Sequence, residues 1–223
     1  MAAKILAGLV SVTIAVVCLF GAAGRIDWLE LQLYLGIATV GHITTAAAVG
    51  MKHADLLRRR ASWGKGTKWW DRICLPCFGV SYYAILFVAA LDSGRYRSSH
   101  MPWWLWAVGL ALYASFVFLL TWSMRANPFF EKTVRIQSDR GHHLIDTGPY
   151  RFVRHPGYLG TIVGFLLGTP LLLRSWWAFV PAGLGTLCLV LRTYGEDRML
   201  QRELPGYAEF ARRVRCRLLP GVW

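Results

Sequence analysis

The stretch WWLWAVGLALYASFVFLLTWSM at residues 103–124 contains no charged residue and is long enough to cross a membrane. A helix needs about 20 apolar residues to span the roughly 30 Å hydrocarbon core of a bilayer. Similar blocks occupy residues 5–23, 31–51 and 73–91. They lack the polar stripe at helical spacing that marks a surface helix of a soluble bundle. The sequence therefore predicts an all-α, polytopic membrane protein with four full transmembrane helices.

Two shorter apolar blocks follow, at residues 158–173 and 176–191, separated by Arg174 and Ser175. Their lengths predict a tight C-terminal helical hairpin whose two ends return to the same membrane face. No repeat or low-complexity stretch interrupts the chain. We therefore predict one domain over residues 1–223. The transmembrane helices fill residues 1–124, and a polar loop, the hairpin and a cytoplasmic tail fill residues 125–223.

Basic residues are concentrated on one side of the predicted helices. Lys and Arg number 25 against 12 Asp and Glu, giving a formal net charge of +13. They cluster at 52–72, 125–154 and 192–217, whereas 24–30 and 92–101 carry few. The positive-inside rule then places both termini in the cytoplasm of an integral membrane protein. The same charge attracts anionic membrane lipids. The absence of an aromatic and basic recognition module argues against nucleic-acid binding.

Polar residues inside the apolar blocks give weaker signals. Cys74 and Cys77 form a C-x-x-C pair, but a structural zinc site would need two further ligands. Packing is favoured over redox or metal chemistry, and no metal site is predicted. His42 lies among threonines, and this setting favours an interhelical hydrogen bond over a functional role.

Two polar clusters flank the hairpin: GPYRFVRHPGYLG at residues 148–160 and RTYGED at residues 192–197. If both ends of the hairpin lie at one membrane face, these clusters are neighbours and form one site. Arg192 and Glu196 are one helical turn apart and face the same way. They form either an ordinary ion pair on the helix surface or part of that site.

The segments HHLIDTGPY at 142–150 and RHPGY at 154–158, with Arg192 and Glu196, resemble the isoprenylcysteine carboxyl methyltransferase family. The motifs LPGY at 204–207 and RLLPGVW at 217–223 are similar to its bacterial branch. The resemblance covers residues 127–223. It implies an enzyme of the bacterial inner membrane that uses S-adenosyl-L-methionine, bound at the cytoplasmic face, and a lipophilic or lipidated acceptor.

The resemblance also assigns residues to roles. Arg192 corresponds to the family's arginine that orients the acceptor, and Asp197 stands where the family usually has a second glutamate. The cofactor-binding residues carried over are Gln137, His142, His143, Leu144, Ile145, Tyr150, His155, Pro156, Gly157, Tyr158 and Glu196, and Arg154 joins them because of its chemistry.

The chemistry of these residues suits the cofactor. Glu196 can neutralise a cationic group or accept from ribose hydroxyls, and Arg154 or His155 can receive the cofactor carboxylate. Tyr150 and Tyr158 offer aromatic faces to the adenine or the sulfonium. The chain lacks the G-x-G-x-x-G fingerprint of soluble cofactor-binding folds.

The acceptor and the reaction are less constrained. An arginine anchor such as Arg192 favours a carboxylate acceptor, and a carboxylate needs no general base. A phospholipid N-methyltransferase and a thiol S-methyltransferase remain alternatives. So does a membrane NADPH-dependent reductase with a related C-terminal architecture. Nothing in the sequence indicates the oligomeric state.

Overall fold

The computed structural model describes residues 2–60 and 64–223, with side chains described at Val10 and from Thr13 onward. Within these residues the chain forms helices, turns and loops and no strand. Three helices are long and apolar enough to cross a membrane. They are α2 (Leu29–Arg60), α3 (Asp71–Ala89), which continues as a π-helix (Ala90–Tyr96), and α4 (Trp103–Ala126). The predicted all-α fold is confirmed for the described residues, with these three helices as candidate membrane spans.

Helix α1 (Ala2–Ala23) precedes these three. The predicted span at residues 5–23 falls partly on side chains that lie outside the described residues. The fourth full transmembrane helix therefore stays a prediction.

Helix α2 differs from its predicted bounds because it continues beyond residue 51 to Arg60. It changes direction at His53, whose φ of −139° and ψ of 63° are not helical. The His53 ring hydrogen-bonds the Arg125 carbonyl oxygen at 3.2 Å, which ties this turn to the end of α4. The polar part after the turn brings Arg60 next to the loop that follows α4.

The C-terminal hairpin is confirmed. Its first limb comprises α5 (Pro156–Gly160), a π-helix (Thr161–Leu166) and α6 (Leu167–Leu172). Its second limb, α7 (Phe179–Glu203), runs well past the predicted end at residue 191. The extension is helical because its buried residues Met199 and Leu200 pack in one cluster with Tyr150 and with Tyr207 of α8 (Tyr207–Arg213).

The tip of the hairpin reaches the far end of the helix bundle. Ser175 Oγ donates to Asp92 Oδ2 at 2.5 Å, and Arg174 Nη2 donates to the Met101 carbonyl oxygen at 2.7 Å. Asp92 and Met101 lie where α3 ends and α4 is about to begin. Both limbs therefore run along the bundle, and both return to the end where α3 begins and α4 ends. We call this the site end.

Small residues let the first limb approach α4 closely. A Cβ on Gly164 would lie 2.7 Å from the Phe116 amide nitrogen, and one on Gly109 would lie 3.0 Å from the Leu172 nitrogen. Such contacts exclude any larger side chain. Close packing of small residues is a common way to join helices in membranes.

The polar residues inside the spans have local roles. His42 donates through Nδ1 to the Ala38 carbonyl oxygen of its own helix at 2.7 Å, so the expected interhelical bond is wrong. Thr45 and Thr121 make such a bond instead, at 2.9 Å. Cys74 and Cys77 are free thiols. Across residues 2–60 and 64–223, no cluster of three potential metal ligands is found.

Candidate functional site

The loop that follows α4 folds over the site end and is held there by polar contacts. The Val134 amide donates to Asp71 Oδ2 at 2.7 Å, at the start of α3. Gln137 is buried; its Nε2 donates to the Phe129 carbonyl oxygen at 2.7 Å, and its Oε1 accepts from Arg140 at 2.9 Å. The loop thereby roofs a cavity of about 210 Å³.

All of the sequence-predicted site residues line this one cavity. The loop and both limbs of the hairpin contribute to the wall. The two polar clusters are therefore neighbours, as predicted. The residues are Gln137, His142, His143, Leu144, Ile145, Tyr150, Arg154, His155, Pro156, Gly157, Tyr158, Arg192 and Glu196.

A buried carboxylate, Asp197, joins the loop to α7. Arg154 donates to it twice, from Nε to Oδ1 at 2.7 Å and from Nη2 to Oδ2 at 3.0 Å. Arg217 Nε and the Tyr207 hydroxyl donate at 2.8 and 3.1 Å. Asp197 is fully inaccessible to solvent. It thus compensates two guanidinium groups and fixes the wall behind the cavity.

The C-terminal tail completes this wall. The amides of Arg154 and His155 donate to the carbonyl oxygens of Cys216 and Arg217 at 3.0 and 2.9 Å. Nη1 of Arg154 also donates to the Val214 carbonyl oxygen at 2.7 Å. The guanidinium of Arg154 is therefore fully engaged by groups of the protein, although its side chain lines the cavity.

A second buried carboxylate, Asp71, holds Arg192. Nε of Arg192 donates to Asp71 Oδ1 at 2.7 Å, and Nη2 donates to the Lys132 carbonyl oxygen at 2.7 Å. Asp71 is fully buried, and Arg192 is 6% exposed. The alternative of an ordinary ion pair between Arg192 and Glu196 is therefore wrong: within the described chain, the partner of Arg192 is Asp71.

Glu196 faces the cavity without an arginine partner in the part of the chain that the structure describes. It accepts a hydrogen bond at Oε2 from the Tyr158 hydroxyl at 2.6 Å. The Tyr158 ring is parallel to the His155 ring, with centroids 5.7 Å apart, and the Arg192 guanidinium lies 5.3 Å from its centroid. Tyr158 thus links the carboxylate, the imidazole and the guanidinium of the site.

The loop also offers unused backbone groups. In the described residues, the amide groups of His143, Leu144 and Ile145 make no backbone hydrogen bond. The side chains of Leu144 and Ile145 pack on the buried cluster that includes Tyr150. A bound ligand would find hydrogen-bond donors and an apolar surface on the same strip of chain.

His142 packs against Phe129, with ring centroids 4.6 Å apart. Burial, together with the neighbouring charges of His143 and Arg135, lowers the pKa of His142 to about 4. The imidazole is therefore neutral at pH 7. A neutral ring adds no positive charge to this part of the cavity.

Sequence reasoning missed three residues that shape the cavity. Asp71 is far in sequence from Arg192, Tyr207 was quoted within the LPGY motif but given no role in the site, and Arg60 enters from α2. Asp71 had one local signal, as an acidic residue at the start of an apolar helix among basic neighbours. Asp197 was noticed only as a departure from the family pattern.

Comparison with known proteins bears on the same region. Residues 107–202 match the isoprenylcysteine carboxyl methyltransferase (ICMT) family, which confirms the resemblance over the motifs up to Glu196; the motifs at 204–207 and 217–223 lie beyond the matched residues. A stretch of 101 residues is 33% identical to the lamin-B receptor of Drosophila melanogaster. That alignment covers 44% of this chain and 14% of the receptor, so the chain spans about one seventh of the relative's length.

Proposed function

Because residues 107–202 match the isoprenylcysteine carboxyl methyltransferase family, we propose that this protein is an S-adenosylmethionine-dependent methyltransferase of the membrane, acting on a lipophilic acceptor. The family and the apolar helices support a membrane methyltransferase. One observation carries the finer proposal: all the residues that the family resemblance assigned line one cavity at the site end.

The donor set of the cavity fits the cofactor. S-adenosylmethionine, when bound, supplies an electrophilic methyl group on a sulfonium. Glu196 accepts from Tyr158, has no arginine partner among the described residues, and would hold a cationic group or ribose hydroxyls. The free amides at residues 143–145 and the apolar strip beside Tyr150 would receive the polar edge and the face of a base.

Of the two candidates for the cofactor carboxylate, the contacts favour His155. The Arg154 guanidinium donates its hydrogen bonds to Asp197 and to carbonyl oxygens of the tail. Among the described residues, the hydrogen-bond and ion-pair contacts of the His155 imidazole are longer, at 3.5 Å to the Tyr207 hydroxyl and to Asp197 Oδ1. Arg154 then acts by holding the wall, and His155 faces the ligand.

Arg192 is the residue that we assign to the methyl acceptor. Buried between Asp71 and the Lys132 carbonyl oxygen, its guanidinium is fixed in orientation. A fixed guanidinium suits a planar carboxylate. Because a carboxylate is already a nucleophile at neutral pH, the site would need alignment and exclusion of water and no general base. We therefore propose O-methylation of a lipophilic carboxylate.

Glu196→Gln is expected to weaken binding of S-adenosylhomocysteine about tenfold to a hundredfold. The substitution removes one charge-assisted interaction, worth about 1.5–3 kcal/mol, and keeps the shape of the side chain. Titration calorimetry of the purified protein measures the affinity. A parallel titration with NADPH tests the reductase alternative, for which binding of NADPH and not of S-adenosylhomocysteine is the expected result.

Glu203→Gln is the matched control. Glu203 lies on the same helix, but it pairs with Lys68 at an exposed site, at 2.7 Å. The Glu203→Gln variant should bind S-adenosylhomocysteine with the affinity of the wild type. If the wild type and a folded Glu196→Gln variant bind S-adenosylhomocysteine equally well, Glu196 does not contact the cofactor.

The charge pattern places the site end in the cytoplasm. His100 and Ser138 are both exposed and lie at opposite ends of α4. Single cysteines at these residues, in a chain without the five native ones, are expected to react oppositely with an impermeant thiol reagent. In intact cells His100→Cys should be labelled and Ser138→Cys protected until the membrane is permeabilised. Labelling of Ser138→Cys alone would show that the site end lies outside the cell, the reverse of the proposed orientation.

A further inference from the structure

Four arginines line the cavity, and three of them are neutralised by the protein itself. Arg135 pairs with Glu131 at 2.9 Å, Arg154 with Asp197 at 2.7 Å and Arg192 with Asp71 at 2.7 Å. The fourth is Arg60, at the end of α2. No carboxylate of the described residues lies within ion-pair distance of it, and residues 61–63 are Ala, Ser and Trp, which carry none.

Arg60 is held in place by neutral groups. Nη1 donates to the Phe130 carbonyl oxygen at 2.9 Å, and the guanidinium lies 5.2 Å from the centroid of the Phe130 ring. These contacts orient the cation but leave its charge uncompensated. A partly buried charge without a counterion is costly, so an anionic ligand would bind here with a large electrostatic gain.

The residues around Arg60 indicate the chemical character of that ligand. Arg60 and Arg192 line the same cavity, and the Arg192 guanidinium lies 5.3 Å from the centroid of the Tyr158 ring, which lines it too. Leu75 and Phe78 lie on α3 beyond Asp71, away from the site end. With Leu120 of α4 and Leu189 of α7, they line the part of the cavity inside the helix bundle. An anionic head beside the arginines would therefore continue into an apolar tail.

We propose that Arg60 and Arg192 form an anion-binding pair for the carboxylate of the acceptor, in which Arg60 determines the preference for an anionic over a neutral head. The inference rests on the proposed function. Arg192 orients the carboxylate of the acceptor, because Asp71 neutralises the guanidinium and fixes its position. Arg60 provides the uncompensated positive charge that attracts this carboxylate. Arg60 is thus assigned a specificity role that the family resemblance did not place on any residue of α2.

The test compares two probes of nearly the same shape, one with an anionic and one with a neutral head: N-acetyl-S-farnesylcysteine and its carboxamide. The wild type, purified in detergent, should bind the acid at least about tenfold more tightly than the amide, the scale of one charge-assisted hydrogen bond. Arg60→Gln should weaken binding of the acid about tenfold to a hundredfold and leave the amide within about twofold. Arg58→Gln is the matched control, because Arg58 is an exposed arginine of the same helix; its acid-to-amide ratio should not change.

Three results would overturn the proposal. Equal weakening of acid and amide in Arg60→Gln would make Arg60 an anchor of the loop at Phe130. A loss confined to S-adenosylhomocysteine affinity would assign Arg60 to the cofactor. Wild-type protein that does not distinguish acid from amide would show that no anion site exists. Because the probes are titrated without cofactor as well, failure to bind S-adenosylhomocysteine would refute the methyltransferase proposal separately.

Discussion

Replacing Asp197 with asparagine is expected to lower the free energy of unfolding by about 3–5 kcal/mol, the usual cost of breaking a buried ion pair from one side. Asp197 is fully buried and receives Arg154, Arg217 and Tyr207. Asparagine keeps the shape but leaves two guanidinium groups uncompensated. Reversible unfolding in mixed micelles, followed by tryptophan fluorescence, measures the change.

Asp146→Asn is the control for this substitution. Asp146 pairs with Arg213 at 2.6 Å, and the side chains of Arg213 and Asp146 are 66% and 41% exposed. An exposed pair contributes about 0–1 kcal/mol. The same chemical change near the same cavity should therefore have little effect. If the two variants unfold within about 1 kcal/mol of each other, Asp197 does not hold the wall of the cavity.

The helices could be predicted from the sequence because their apolar length is a local property. The helix ends could not. Helix α7 continues to Glu203 because Met199 and Leu200 are buried against the loop after α4 and against α8. Similarly, α2 continues to Arg60 beyond a turn at His53, which lies three residues after Gly50. In both cases tertiary packing extends a helix past the end of its apolar block.

The cavity was predictable as a meeting of two motifs, but its charge pairing was not. Arg192 and Glu196 are adjacent on one helix face, which predicts a local pair, yet Arg192 binds Asp71 from α3. A buried arginine selects the carboxylate that packing brings to it, and α3 packs along α7. Arg154 likewise looked like a ligand group in sequence, because its motif does not reveal Asp197 as its partner.

Arg192→Lys is expected to reduce turnover on the order of a hundredfold while changing the affinity for S-adenosylhomocysteine less than about threefold. Arg192 bridges Asp71 and the Lys132 carbonyl oxygen through two different nitrogens. A lysine ammonium is a point charge without that planar fork, so it cannot keep both contacts and also present a donor to the acceptor. Misplacement of a reacting group by about 1 Å can cost two orders of magnitude in rate.

Transfer of a labelled methyl group to N-acetyl-S-farnesylcysteine measures turnover, and calorimetry measures cofactor affinity. Arg198→Lys is the matched control, since Arg198 is exposed on the same helix and donates to the Tyr194 hydroxyl. It should retain wild-type turnover. The two explanations of Arg192 then separate. If it orients the acceptor, turnover falls and cofactor affinity stays. If it only ties α7 to α3, Arg192→Lys loses both in parallel or neither, and the acceptor role is refuted.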